Sequence, residues 1–308
     1  MIYFCVVHWK NTRWIGRQLR HIAGYTTGDY RIACFHTDLD GPIPEDSRWL
    51  FREETRIREH ATKLDILAHE VCRQGARDDD ILVFIDSDAF PVAPWEARLL
   101  PALDRHELTA VQRLENFGSP QPHPCFCATT VGFWRRIGGT WASGHKWRSE
   151  TGAKVTDVGG NLLKHLEAEN IDWAPLLRSN AYNPHPLWFG LYADAIYHHG
   201  AGSRGKLSPQ DHDRITQRLS RLDHDRIMQQ ARERFPLRMR VLDRLAAIKG
   251  RNRLLAPLRR ALTPQAQIER DRAAIEAQIA TLSTSIEDAS DDNLLTPDIL
   301  NAILRSGA

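Results

Sequence analysis

The chain has 308 residues, 42% of them hydrophobic, which is enough to bury a full core in one large domain or in a domain with an appendage. A formal net charge of +2 exerts no bulk pull on nucleic acid, and no apolar run reaches the roughly eighteen residues that a membrane-spanning helix needs. Five cysteines, an odd number without a disulfide framework, fit a reducing compartment. Cys125-Phe126-Cys127 lacks the two-residue spacing and second ligand pair of a zinc site, so it reads as buried thiols. Met1 to Val7 is too short for a signal h-region and reads as a first strand, so a cytoplasmic protein is expected.

After that strand, Asn11 to Ala23 carries Trp14, Ile15, Leu19 and Ile22 at helical spacing. Tyr30 to His36 is a second short apolar run, closing in the turn residues Thr37-Asp38-Leu39-Asp40-Gly41-Pro42. Glu59 to Arg73 sets Ala61, Leu64, Leu67, Ala68 and Val71 on one stripe of a helix, with Lys63 and Asp65 elsewhere on it. Ile81 to Ile85 is an unbroken apolar strand that runs into Asp86-Ser87-Asp88. The alternation of strand and helix predicts an α/β fold with a parallel sheet flanked by helices.

Further on, Thr109 to Gln112 reads as a strand, and Pro120-Gln121-Pro122-His123-Pro124 as an extended loop, because each proline turns its predecessor away from helix. Gly159-Gly160 precedes a helix over Asn161 to Glu169, and Asp194 to Gly202 reads as a last strand. From about residue 208 the composition shifts to Arg, Asp and Gln in long helical patterns. This predicts a first domain over 1–207 and a helical appendage over 208–308. Within the appendage, Phe235 to Leu262 is basic and amphipathic. It reads either as a helix packed on the first domain or as a peripheral contact with an anionic membrane.

The chemistry concentrates at Asp86 and Asp88. Side chains at i and i+2 of an extended segment point the same way, so the two carboxylates can share one hard cation, Mg²⁺ or Mn²⁺. In open α/β sheets ligands collect at the carboxyl ends of strands, where this pair stands. The bland alternative is a strand followed by a solvated acidic turn.

Taken in order, these parts resemble the nucleotide-sugar-dependent glycosyltransferases of the GT-A fold, close to the family 2-like bacterial group. The likeness covers roughly residues 1–206 and rests on Trp14 and Gln18 in the first helix, Asp38, Lys63-Leu64-Asp65, Asp86-Ser87-Asp88, Asp157-Val158-Gly159-Gly160 and His198-His199. It implies that the Asp-x-Asp pair holds Mn²⁺ or Mg²⁺ against a donor diphosphate, with a late histidine completing the shell. His199, in a His-x-x-Gly pattern with Gly202, is slightly preferred over His198. On the same likeness His8, Asp38, Lys63, Asp65, Asp86 and Ser87 contact the donor nucleotide. Arg204 and Lys206 meet phosphate oxygens or form a solvent-facing turn. Asp157 is the candidate general base if the reaction inverts, although Thr156 stands where the family carries an acid, and an N-cap role weighs nearly as much. His123, Gly159, Gly160 and Trp188 would line an acceptor or sugar pocket. Asn180, Asn183 and His185 would bind hydroxyls there, and Phe133, Trp134, Trp141, Trp147 and Trp173 read as pocket wall or core. The expected partners are a nucleoside-diphosphate sugar and a glycan or lipid-linked acceptor, not nucleic acid.

Three other readings compete. A sugar nucleotidyltransferase would want a glycine-rich loop after its first strand, and His8-Trp9-Lys10-Asn11-Thr12-Arg13 has no glycine. A phosphatase of the haloacid dehalogenase type places Asp-x-Asp on the first strand, not the third. A GT-A-like scaffold that has lost catalysis is the third.

Overall fold

A computed structural model describes residues 1–148, 154–200 and 265–306. Seven strands form the central sheet: β1 (Ile2–Trp9), β2 (Tyr30–Thr37), β3 (Trp49–Glu53), β4 (Ile81–Asp86), β6 (Leu108–Gln112), β7 (Pro122–Thr130) and β10 (Ala174–Leu176). Their order across the sheet is β10-β6-β7-β4-β1-β2-β3. A second sheet has the order β11-β12-β5, from β5 (Ala89–Pro91), β11 (Gly190–Tyr192) and β12 (Ile196–His198), and β8 (Trp147–Arg148) pairs with β9 (Lys154–Val155). The helices are α1 (Ile15–Tyr25), α2 (His60–Arg73), α3 (Trp95–Leu99), α4 (Val131–Arg136), α5 (Gly160–Ala168), α6 (Gln265–Asp292) and α7 (Pro297–Ser306).

The central strands are apolar throughout because both faces are covered. Phe4, Val6, Val83 and Ile85 enter one core with Ile15, Leu19 and Ile22 of α1. Cys5, Val7, Leu82 and Phe84 enter the other with Leu64, Leu67 and Val71 of α2. Alternation along each strand divides the residues between the two layers. All five cysteines are free.

The sheet is mostly parallel, and β7 is the exception, antiparallel to both β4 and β6. The connection from β6 to β7 is too short for a crossover, so the chain must turn straight back. Of the proline-rich segment that read as an extended loop, Pro122 to Pro124 is the start of β7. Its extension was foreseen, but its pairing was not. Proline donates no hydrogen bond to a ladder, and the β6–β7 register jumps there, with Ala110 opposite Cys127 and Val111 opposite His123. The last strand is also shorter than expected, because Ala193 and Asp194, each at φ 49°, make the tight reversal that joins β11 to β12.

Two compact units divide the chain, Met1–Arg204 with Leu282–Ala308, and Gly205–Thr281. The stretch from Leu282 therefore packs with the first unit instead of continuing a separate appendage from 208. Leu282, Ile286, Leu295, Leu300 and Leu304 are fully buried there. Arg13, just before α1, pairs with Glu287, while from α1 Arg17 pairs with Asp291 at 2.6 Å and Tyr25 donates to the Leu295 carbonyl at 2.8 Å. Of the second unit the structure describes the first part of α6, where Arg272 and Glu276 pair at 2.9 Å. The basic segment 235–262 lies outside the described residues. No helix among the described residues is long and apolar enough to cross a membrane.

Candidate metal centre

Parallel pairing brings several chemistry-bearing residues to one edge. Val7 is opposite Asp86 and His8 is opposite His36, so the carboxyl ends of β1, β2 and β4 present His8, Asp38 and Asp86 together. The turn after β4 is clamped from behind. Gln18, 1% exposed, donates from Nε2 to the carbonyls of Asp86 and Ala89, both at 2.7 Å. That explains a polar residue on the buried stripe of α1, since an amide buried there needs partners.

The small second sheet supplies the remaining side chain. β12 pairs with β5 so that His198 is opposite Ala89, and the His199 amide donates to the Asp88 carbonyl at 2.9 Å. As a result, Asp86, Asp88 and His198 each offer a ligand atom within 4.8 Å of the others. His198 Nε2 lies 3.6 Å from Asp86 Oδ2 and 3.4 Å from Asp88 Oδ1. Burial raises the Asp86 carboxyl above its ordinary range, and His60 and His198 partly offset this. Asp86 Oδ1 is buried without a hydrogen-bond partner. A buried carboxylate oxygen that accepts no hydrogen bond, beside a second carboxylate and an imidazole, is what a divalent cation would satisfy, so the donor set fits Mn²⁺ or Mg²⁺.

The preference for His199 over His198 is reversed. Successive residues of a strand face opposite ways, and His199 points into the core. Its Nδ1 is 2.9 Å from the Tyr197 hydroxyl, its Nε2 is 3.2 Å from Ser283 Oγ, and Trp14 packs on the ring at 4.5 Å. Burial lowers its pKa to about 3, so it is neutral there.

Around the centre, His8 is buried and stacked on His36 at 5.3 Å, and burial lowers its pKa to about 3. Asp38 is exposed at φ 55° and pairs with Arg56 at 3.2 Å. Lys63, also buried, donates to Thr37 Oγ1 at 3.2 Å. Burial lowers its pKa, and Asp38 opposes that shift. Ser87 is half-buried in the turn between the two carboxylates. Asp65 is turned elsewhere. Its two oxygens accept from Thr140 Oγ1 at 2.7 Å and the Trp141 amide at 2.8 Å, which anchors that loop on α2.

Asp157 does not cap α5, because Gly159 holds that position in the left-handed region at φ 85°. Asp157 instead accepts from Asn116 Nδ2 and the Val158 amide, both at 2.9 Å. A side chain on Gly159 would strike the Pro122 carbonyl oxygen at 2.2 Å, and one on Gly160 the His145 amide at 2.5 Å. The glycines thus let backbones meet. His123 is buried, its Nδ1 accepting from the Cys125 amide at 3.1 Å, with its ring 6.3 Å from that of His198.

Most of the aromatic wall is core. Phe133, Trp134 and Trp141 are buried in the α2 layer, Trp173 packs against it, and Trp188 is buried edge-on to His185 at 4.5 Å. Trp147 is half-buried and donates to the Phe117 carbonyl. Asn180 accepts from the Leu191 amide and donates to the Phe189 carbonyl, both at 2.7 Å, which ties the β11 segment. Asn183 is exposed, and the His185 Nδ1 accepts from the Leu187 amide at 3.0 Å. Arg204, Lys206 and Gly202 lie outside the described residues.

Two residues near the centre had no sequence signal. His60, at the first turn of α2, places Nε2 3.6 Å from Asp86 Oδ1. Arg113, half-buried after β6, is opposed by desolvation but lies in the field of Tyr192, Cys125, Glu115 and Asp157, which hold its charge above the ordinary arginine range. No protein-family model matches the chain, and no curated protein sequence matches it either.

Proposed function

We propose that the protein is a metal-dependent glycosyltransferase with a GT-A-type sheet, moving a sugar from a nucleoside-diphosphate sugar to an acceptor hydroxyl on a glycan or lipid-linked saccharide. The observation that carries this reading is the meeting of Asp86, Asp88 and His198, with ligand atoms within 4.8 Å of one another at the carboxyl end of β4. Asp86, Asp88 and His198 would hold Mn²⁺ or Mg²⁺. When bound, the ion supplies positive charge that offsets the charge growing on a departing diphosphate. Asp38, just past the end of β2, and Lys63 of α2, which reaches Thr37 there, would receive the nucleoside. Asp157, steadied by Asn116, would accept the proton of the attacking hydroxyl. Gln18 keeps the turn that carries both carboxylates in place.

Calorimetric titration with UDP, GDP, CDP and dTDP, each with and without Mn²⁺, tests the reading, repeated on Asp88→Ala. One nucleotide binding only with metal, and lost in the variant, supports it and identifies the base. No metal-dependent nucleotide binding removes it. A scaffold would show neither that binding nor slow hydrolysis of the matching nucleotide sugar.

A further inference from the structure

The Asp86 carboxylate lies between two imidazoles. His198 Nε2 is 3.6 Å from Oδ2, and His60 Nε2 is 3.6 Å from Oδ1, the oxygen that is buried without a hydrogen-bond partner. Both separations are too long for a hydrogen bond. Each suits two ligands of one ion. Donors each about 2.1 Å from a cation are ~3.0 Å apart at a right angle and ~4.2 Å apart when opposite. His60 itself stands outside the cluster of Asp86, Asp88 and His198 donors that lie within 4.8 Å of one another, and would join it by turning its side chain.

His60 comes from a different element than the other three donors. It opens α2, whose start is fixed by the packing of Leu64, Leu67 and Val71, so its backbone is anchored while its side chain stays 38% exposed and able to adjust. A helix N-terminus opposes a cation, but its partial charge of roughly one half is smaller than that of two carboxylates.

We infer that His60 is a fourth protein ligand of the Asp86/Asp88/His198 centre, which makes the donor set two carboxylates and two imidazoles and selects a first-row transition ion such as Mn²⁺ over Mg²⁺. The inference rests on the metal reading of that centre. Mg²⁺ prefers oxygen donors and keeps several of its waters, whereas imidazole nitrogen suits Mn²⁺, Fe²⁺ and Co²⁺. Each histidine added to such a site therefore tilts selection away from Mg²⁺.

The test is direct binding of Mn²⁺ and of Mg²⁺ to the metal-stripped full chain without nucleotide, together with the visible absorption of the Co²⁺-loaded protein. It compares wild type, His60→Ala and Asp88→Ala, with circular dichroism as the folding control. Wild type should bind Mn²⁺ at least ~10-fold more tightly than Mg²⁺. His60→Ala should weaken Mn²⁺ about 10- to 100-fold, leave Mg²⁺ within about threefold and shift the Co²⁺ bands. If His60→Ala binds Mn²⁺ as wild type does while Asp88→Ala loses it, His60 is only an ion-pair neighbour and the three-residue centre stands. If wild type binds neither ion, the fourth ligand and the metal centre itself both fall.

Discussion

The side-chain amide of Gln18 spans the turn that begins at Asp86, donating at 2.7 Å to the carbonyl of Asp86 itself and at 2.7 Å to that of Ala89. One buried amide thus sets the path of the chain between a sheet strand and the small sheet that brings His198. Replacing it by Leu would fill the same space and leave two buried carbonyls without a donor. Gln18→Leu should cost about 2–4 kcal/mol, read as a lower midpoint in urea unfolding at unchanged slope. Metal binding should weaken with it, because the two carboxylates lose their common support.

Protonation of His21 should limit stability in mild acid. Its ring is fully buried, with Nδ1 3.0 Å from the Pro91 carbonyl and Nε2 accepting from the Leu295 amide at 3.5 Å. Burial lowers its pKa to about 4 from an ordinary 6.5. Between those values the unfolded chain binds more protons than the folded one, so stability is full above pH 6.5 and is lost as pH falls toward 4. The loss is on the order of 3 kcal/mol at one site. His21→Phe should flatten the slope of unfolding free energy across that window, and an unchanged slope would refute the assignment.

The returning C-terminal chain should behave as part of the first unit. Leu295 is fully buried, its carbonyl accepts from Tyr25 and its amide donates to His21. Leu295→Ala should cost about 2–5 kcal/mol in a single unfolding transition shared with the sheet. Ser283→Ala removes one hydrogen-bond partner of His199 and should cost about 1 kcal/mol. A separate, earlier transition for Leu295→Ala would show that 282–308 folds apart from residues 1–204.

Gly159 is constrained twice, by φ 85° and by the Pro122 carbonyl oxygen that an added Cβ would meet at 2.2 Å. Backbone on one side and a fixed dihedral on the other leave no cheap escape. Gly159→Ala should destabilise by more than about 2 kcal/mol, whereas Gly75→Ala, at φ 91° with nothing within 4 Å, should pay only the backbone strain of about 1 kcal/mol. Melting temperatures of the two variants check the ranking.

Much of the fold was legible because burial on both faces writes itself as unbroken apolar runs. β1, β2 and β4 and the stripes of α1 and α2 all follow from periods of 2 and 3.6 residues. β3 was harder to see, since an edge strand is only half-buried and carries Arg52 and Glu53. β7 was obscured by prolines that mimic a loop, although the same prolines explain its displaced register.

The sequence by itself determined that two carboxylates stand at one strand end, because the apolar run of a doubly covered strand stops where Asp86-Ser87-Asp88 begins. The turn held by Gln18, not strand alternation, then brings them together. Which histidine joins them was a tertiary decision. His198 and His199 are chemically identical neighbours, and only the pairing of β12 on β5 turns the first toward Asp88 and the second toward Tyr197 and Ser283. His60 and Gln18 converge on this region, and Leu295 on the His21 ring of α1, from positions that are far apart in the chain. No local pattern records such encounters, because they arise only when helices pack on the sheet and a distant segment returns to cover α1.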